Sequence, residues 1–143
     1  MKNILITIAS SIFLLSCGAG QGSLPENQNE SIAFEGKNYF VTAPQTDALA
    51  KMNMQAQTAG ALAVLRNQTL ADGISLANCG LIKAFLATDL NEFADMEGFS
   101  AAYSRVFGTK LVPNQPQLLQ IQVVGFANPQ QLVLLEANCT LPK

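Results

Sequence analysis

The chain lacks histidine and tryptophan altogether, and its only tyrosines are Tyr39 and Tyr103. Without histidine, Ser-His-Asp triads, histidine-ligated metal sites and imidazole proton shuttles are excluded. The serines and threonines have no histidine base, and no G-x-S-x-G turn offers one as a nucleophile. No metal and no other cofactor is expected, and an aromatic platform for sugars is poorly supplied. Charge is scarce as well: Asp, Glu, Lys and Arg make up 13% of residues, about half the usual share. The net charge of −2 gives a nucleic-acid partner no electrostatic basis. Hydrophobic residues reach 49%, too many for a disordered tail, and 143 residues suit one domain rather than two.

What is present begins with an address. Lys2 precedes an apolar run, Ile4 to Leu15, and small Ser16 stands before Cys17. As a helix that run would span about 18 Å, short of the ~30 Å hydrocarbon core of a bilayer. Residues 1–16 therefore read as a secretory signal peptide and not as a membrane anchor. Leu14-Leu15-Ser16-Cys17 resembles the lipobox of bacterial lipoproteins. That resemblance implies cleavage before Cys17 and a thioether-linked lipid on its sulfur, with palmitate-type acyl chains holding the protein on a membrane. The other reading is an ordinary signal peptide with an incidental cysteine. After Cys17, residues 18–30 (GAGQGSLPENQNE) form a polar tether with a mean reach of about 20 Å. The expected location is the bacterial cell envelope; Gly18 after the lipidated cysteine favours the periplasmic side of the outer membrane in a Gram-negative cell.

Residues 31–143 form the folded body. Ser31–Phe34 and Tyr39–Thr42 are β-prone runs around Glu35-Gly36-Lys37-Asn38, a tight-turn sequence, and predict a hairpin. Asp47 is a candidate N-cap for a helix over Ala48 to about Thr69, with Leu49, Met52, Ala56, Ala59 and Ala63 as its inward stripe. Gly73 and Asn78-Cys79-Gly80 mark loops, and Leu81–Ala87 a third strand. A second helix is expected over Leu90–Phe107, with Phe93, Met96, Phe99, Tyr103 and Phe107 on one face and Gly108 as its stop. Asp89, Glu92, Asp95 and Glu97 at its start suit the positive end of the helix dipole. Lys110–Gln117, with Pro113 and Pro116, is loop; Leu118–Val124 and Leu132–Asn138 are strands, separated by a turn at Ala127–Gln130. The order ββ-α-β-α-ββ predicts an α+β fold, a mixed sheet backed by two helices on one face. The strand order should be 1-2-5-3-4, the last strand returning antiparallel through the slot left by the first crossover.

The stretch from Gln55 to Asn138 resembles the RidA/YjgF (Rid) family. The best match is Lys83-Ala84-Phe85-Leu86-Ala87-Thr88 followed by Asp89-Leu90-Asn91-Glu92-Phe93, similar to the family's strand and D-L-x-D/E-F helix start. Tyr103, Phe107 and Glu136-Ala137 extend it. The resemblance implies a chorismate mutase-like sheet backed by two helices, a homotrimer, and ligand clefts between subunits. It also implies hydrolysis of reactive imines and enamines, with an arginine gripping the substrate carboxylate and a glutamate on the last strand assisting water. In this chain the arginine position is Leu118, the following cysteine is Gln120, the last-strand glutamate is Leu134, and the asparagine before Tyr103 is Ser100. Only Glu136, two residues on, keeps its carboxylate.

Leucine at 118 removes a charge-assisted grip of about 1.5–3 kcal/mol and leaves a bound carboxylate unpaired. Affinity for a 2-imino acid should fall by roughly two orders of magnitude or more. Lys83, Arg105 and Lys110 are the cations that could stand in. Gln120 and Gln122 project on one side of their strand with Leu118 and Val124, either as cleft amides for a neutral polar ligand or as an ordinary strand surface. The candidate pocket is thus Ser100, Tyr103, Leu118, Gln120, Gln122, Leu134 and Glu136. The expectation is a membrane-tethered homotrimer serving as a small-molecule-binding or structural module. An exported 2-imino acid or enamine deaminase with a rebuilt pocket is the alternative.

With Cys17 assigned to lipid, Cys79 and Cys139 remain. In the order 1-2-5-3-4 they fall at meeting ends of antiparallel neighbours, so an exported chain could join them in a disulfide; two buried free thiols are the other outcome.

Overall fold

In the computed structural model, residues 36–44, 53–88 and 93–141 are described, all within one compact unit, Ala33–Lys143. The elements are β1 (Gly36–Val41), α1 (Met54–Ala71), β2 (Cys79–Ala87), α2 (Met96–Tyr103), β3 (Gln117–Val123) and β4 (Val133–Thr140), with a 3-10 turn at Leu76–Asn78. The sheet runs β1-β4-β2-β3. β4 is antiparallel to both β1 and β2, and β2 is parallel to β3. This is the expected α+β architecture, with the last strand inserted between the two that the first crossover separates. The expected first strand at 31–34 and the signal and tether segments lie outside the described residues, as do Asp47, Asp89 and Glu92. No helix among the described residues is long and apolar enough to cross a membrane.

One face of the sheet carries the core. Tyr39 and Val41 on β1, Ile82, Ala84 and Leu86 on β2, and Val133, Leu135 and Ala137 on β4 all lie below a tenth exposed, packed against Leu62 and Leu65 of α1 and Phe99 of α2. Strand alternation sends the intervening residues to the opposite face.

Several local expectations need correction. Gly36, Lys37 and Asn38 are not a turn: they pair with Thr140, Cys139 and Asn138. Their turn propensity is overridden by that ladder, by the Asn138 amide donating to Asn38 Oδ1 at 2.7 Å, and by Lys37 reaching Asp72. Cys79 and Gly80 likewise belong to β2, with a bulge between Cys79 and Leu81. On α1 the inward stripe is Met54, Gln57, Thr58, Ala61, Leu62, Leu65 and Thr69, whereas Ala59 and Ala63 are exposed. Alanine populates every side of this helix, and three polar residues share the buried one, so periodicity alone misplaced the face. α2 is shorter than expected; Asp95 caps it by accepting from Gly98 N at 2.7 Å, and Phe93, ahead of the helix, is 72% exposed. A Cβ on Gly98 would run into that capping carboxylate. β3 ends at Val123, which leaves Val124 beyond the strand.

Buried Gln57 has a structural task that its polarity did not advertise. Its amide donates to Gln130 O at 2.7 Å and accepts from Leu132 N at 2.8 Å, tying α1 to the turn before β4. Helix α1 ends in a Schellman motif: Gly73 N bonds to Leu70 O, Ile74 N bonds to Thr69 O, and Gly73 takes φ +74. Cys79 and Cys139 sit directly opposite each other, Cα atoms 3.8 Å apart, and are joined by a disulfide across a sequence separation of 60. Closing such a loop stabilises the fold by about 4 kcal/mol in the chain-entropy picture.

Asp72, the C-cap of α1, binds it to β1. Lys37 Nζ donates to one carboxylate oxygen at 2.6 Å and the Tyr39 hydroxyl to the other at 2.8 Å. The bond from Lys37, then that from Tyr39, holds the Asp72 carboxyl below its usual range. Burial, and then the bond to Asp72, pushes the Tyr39 hydroxyl up to about 12. A depressed carboxyl pKa stabilises the fold above the unfolded value and loses that contribution as pH falls through the folded one. Asp72→Asn should therefore lower stability at neutral pH, and the gap from the parent should close as acid protonates the carboxylate, below the usual carboxylate range. Urea unfolding across that range measures it; a gap independent of pH would refute this role.

Candidate functional site

The sheet divides the expected pocket residues between its two faces. Leu118, Gln120 and Gln122 stand beside Ile82, Ala84 and Leu86 in the parallel register, so they share the helix-covered face at the free edge formed by β3. Leu118 is half-buried and packs on the core, whereas Gln120 and Gln122 are exposed. The Gln122 side chain accepts from Ala94 N at 3.4 Å, joining β3 to the segment that enters α2.

From α2, Tyr103 packs partly buried against the same core, its ring 5.7 Å from Phe99 and 4.8 Å from Phe107. Its hydroxyl is buried with no hydrogen-bond partner among the described residues, and burial pushes its pKa up to about 12. The phenol is a neutral donor at any physiological pH and does not serve as a base. Ser100 is exposed on the same helix.

Leu134 and Glu136 lie on the other face of the sheet, which the helices leave open. Lys83 pairs with Glu136 in the antiparallel register, and its Nζ donates to Glu136 Oε1 at 2.9 Å. Around this ion pair the face is apolar. Phe40 of β1 is 64% exposed, Phe85 and Leu134 are half-buried, and Leu119 and Ile121 of β3 are exposed. An open apolar sheet face with one central ion pair has the character of an interface more than of a solvated surface.

Within one chain, then, the geometry gathers Leu118, Gln120 and Gln122 on one face and Leu134 with Glu136 on the other. The two sets do not converge. Of the three cations considered near β3, Lys83 stands on the opposite face from Leu118 and is held by Glu136. Arg105 lines a groove beside α1, and Lys110 is exposed in the loop before β3. Asp95 and Glu97 serve the start of α2, as expected of carboxylates there.

No family model matches the chain, and no curated protein is similar to it in sequence. Solved structures do share its fold. PA3499 of Pseudomonas aeruginosa, a protein of unknown function, is 20% identical with a TM-score of 0.61, over 84% of this chain and 88% of its own. Rv2704 of Mycobacterium tuberculosis, a member of the YjgF/YER057c/UK114 family, is 21% identical with a TM-score of 0.55, over 72% and 75%. TdcF of E. coli, solved with bound serine, is 17% identical with a TM-score of 0.56, over 76% and 87%. The fold is that of the YjgF/RidA proteins.

The ion pair on the open face yields a direct test. Lys83→Met should destabilise the protein by about 1–3 kcal/mol, because the Glu136 side chain is only 15% exposed and would lose its partner. Combining it with Glu136→Leu should restore most of that loss on so apolar a surface. A double variant as unstable as the single one in urea unfolding would show that the pair is not the source of the cost.

Proposed function

We propose that this chain is a lipid-anchored, RidA-like homotrimer of the bacterial cell envelope. On this reading it binds a neutral polar small molecule or serves a structural role, and it is not an imine deaminase. The observation that carries the reading is Leu118. Where the Rid resemblance expects an arginine, a half-buried aliphatic side chain packs against the core, and Lys83 on the neighbouring strand is turned to the opposite face and neutralised by Glu136. A carboxylate brought to β3 would meet the exposed amides of Gln120 and Gln122, which suit an uncharged polar ligand better than an anion.

The trimer is supported by the open face. Exposed Phe40, Leu119 and Ile121 would be costly in water and favourable against copies of themselves. Assembly is also the one route by which residues split between two sheet faces can meet in a cleft, through contributions from different chains. TdcF holds serine on this fold, which supports a small-molecule site here while Leu118 argues for a different guest. The anchor rests on the lipobox-like Leu14-Leu15-Ser16-Cys17 and the apolar run before it.

Two experiments test this reading. Freshly generated 2-iminopropionate and a neutral enamine should be hydrolysed no faster with the protein than in buffer; a clear excess rate, lost in Gln120→Ala or Glu136→Gln, would instead identify a deaminase with a rebuilt pocket. Cys17→Ala should move the protein from the membrane to the soluble fraction, where light scattering should give three chains. Retention in the membrane would refute lipidation, and a monomer would refute the assembly.

A further inference from the structure

A groove of about 490 Å3 runs along α1 beside the end of α2 and the loop that follows it. It lies on the outside of the helical layer, apart from both sheet faces. Its base is aliphatic, with Leu62 and Ala63 from α1 and Ala102 and Val106 from the α2 side. Leu70 and Leu111, 57% and 90% exposed, stand at its margins. Small side chains at 63 and 102 keep the trough open, and its size falls in the usual range for ligand sites, about 300–1,000 Å3.

The polar groups of this groove are unevenly engaged. The Ser75 hydroxyl accepts from Ala77 N, and the Thr109 hydroxyl donates to Val106 O and accepts from Val112 N, so both are occupied within the fold. Arg66 and Arg105 also line it, and neither guanidinium is among the ion pairs of the described residues, Lys37–Asp72 and Lys83–Glu136. Among the described residues, no acidic side chain lines the groove. In a chain with net charge −2, two guanidinia without carboxylate partners beside one aliphatic trough form a local site for an anion. Among the described residues no aromatic ring lines it, so none of them would stack on a nucleobase or a sugar.

We propose that this groove binds a medium-chain aliphatic carboxylate, the alkyl chain lying on Leu62, Ala63, Ala102 and Val106 and the carboxylate gripped by Arg66 and Arg105. The inference uses neither the open sheet face nor Leu118, and shares with the function proposed above only the lipid anchor that holds the chain in the test. A guanidinium presents a planar fork of donors that matches a carboxylate, and the aliphatic trough rewards a tail that a short anion such as acetate lacks.

The test is photolabelling of the full chain, held in phosphatidylcholine nanodiscs, with decanoate that bears a diazirine on its tail. Labelled peptides should map to residues 59–76 and 102–112, and excess decanoate should suppress labelling where decanol does not. Arg66→Gln with Arg105→Gln should weaken labelling at least tenfold, in keeping with the loss of charge-assisted bonds. Ala63→Phe, at an exposed helix position that a larger side chain should not unfold, should abolish it by filling the trough. Absent labelling, labelling elsewhere, equal competition by decanol, or indifference to both variants would overturn the proposal. Suppression merely by adding phosphatidylglycerol to the nanodiscs would mark the groove as a membrane contact and overturn it equally.

Discussion

The insertion of β4 between β1 and β2 is the constraint on which the rest of the structure depends. That strand is hydrogen-bonded on both sides, to β1 about 100 residues before it and to β2 about 50 before it, and it carries Val133, Leu135 and Ala137 into the centre of the core. Two devices fix its register. The Cys79–Cys139 disulfide locks its far end to the start of β2, and Gln57 of α1 holds the turn that leads into it. Because side chains alternate along a strand, this one register also decides that Leu134 and Glu136 face away from the helices. A slip by one residue would bury a carboxylate and expose the core.

The same alternation explains why one chain does not assemble the expected pocket. Leu118, Gln120 and Gln122 follow the helix-facing parity of β2, whereas Lys83 and Glu136 follow the other. The Lys83–Glu136 pair thus neutralises two charges in the middle of an apolar surface, where either alone would oppose burial. Neither the Lys83 cation nor the Glu136 carboxylate is left without its charge partner on this face.

The topology was legible in the sequence because it follows from element order: each helix separates two strands, and a final strand must return through the gap. The cysteine pairing followed from the same order. The burial of individual residues was less legible. On α1, alanines on all sides flatten the hydrophobic contrast, while Gln57, Thr58 and Thr69 enter the interior. At Gly36–Asn38, short-range turn preference competed with a ladder formed 100 residues away, and the ladder won. Asp72 and Lys37, which join helix to sheet, left no local signature, since their contact exists only once both elements are packed. The arginine-lined groove was similarly out of reach, because it depends on how α1 and the segment after α2 lie together in space.

On the reading proposed above, no anionic guest is held beside β3. Serine, the molecule bound by TdcF on this fold, is the direct probe. Titrated into the soluble protein and followed by amide chemical shifts, it should produce no saturable change at residues 118–122 up to millimolar concentration. Saturable shifts there, with a crystal structure showing the serine carboxylate held beside Leu118, would contradict the claim.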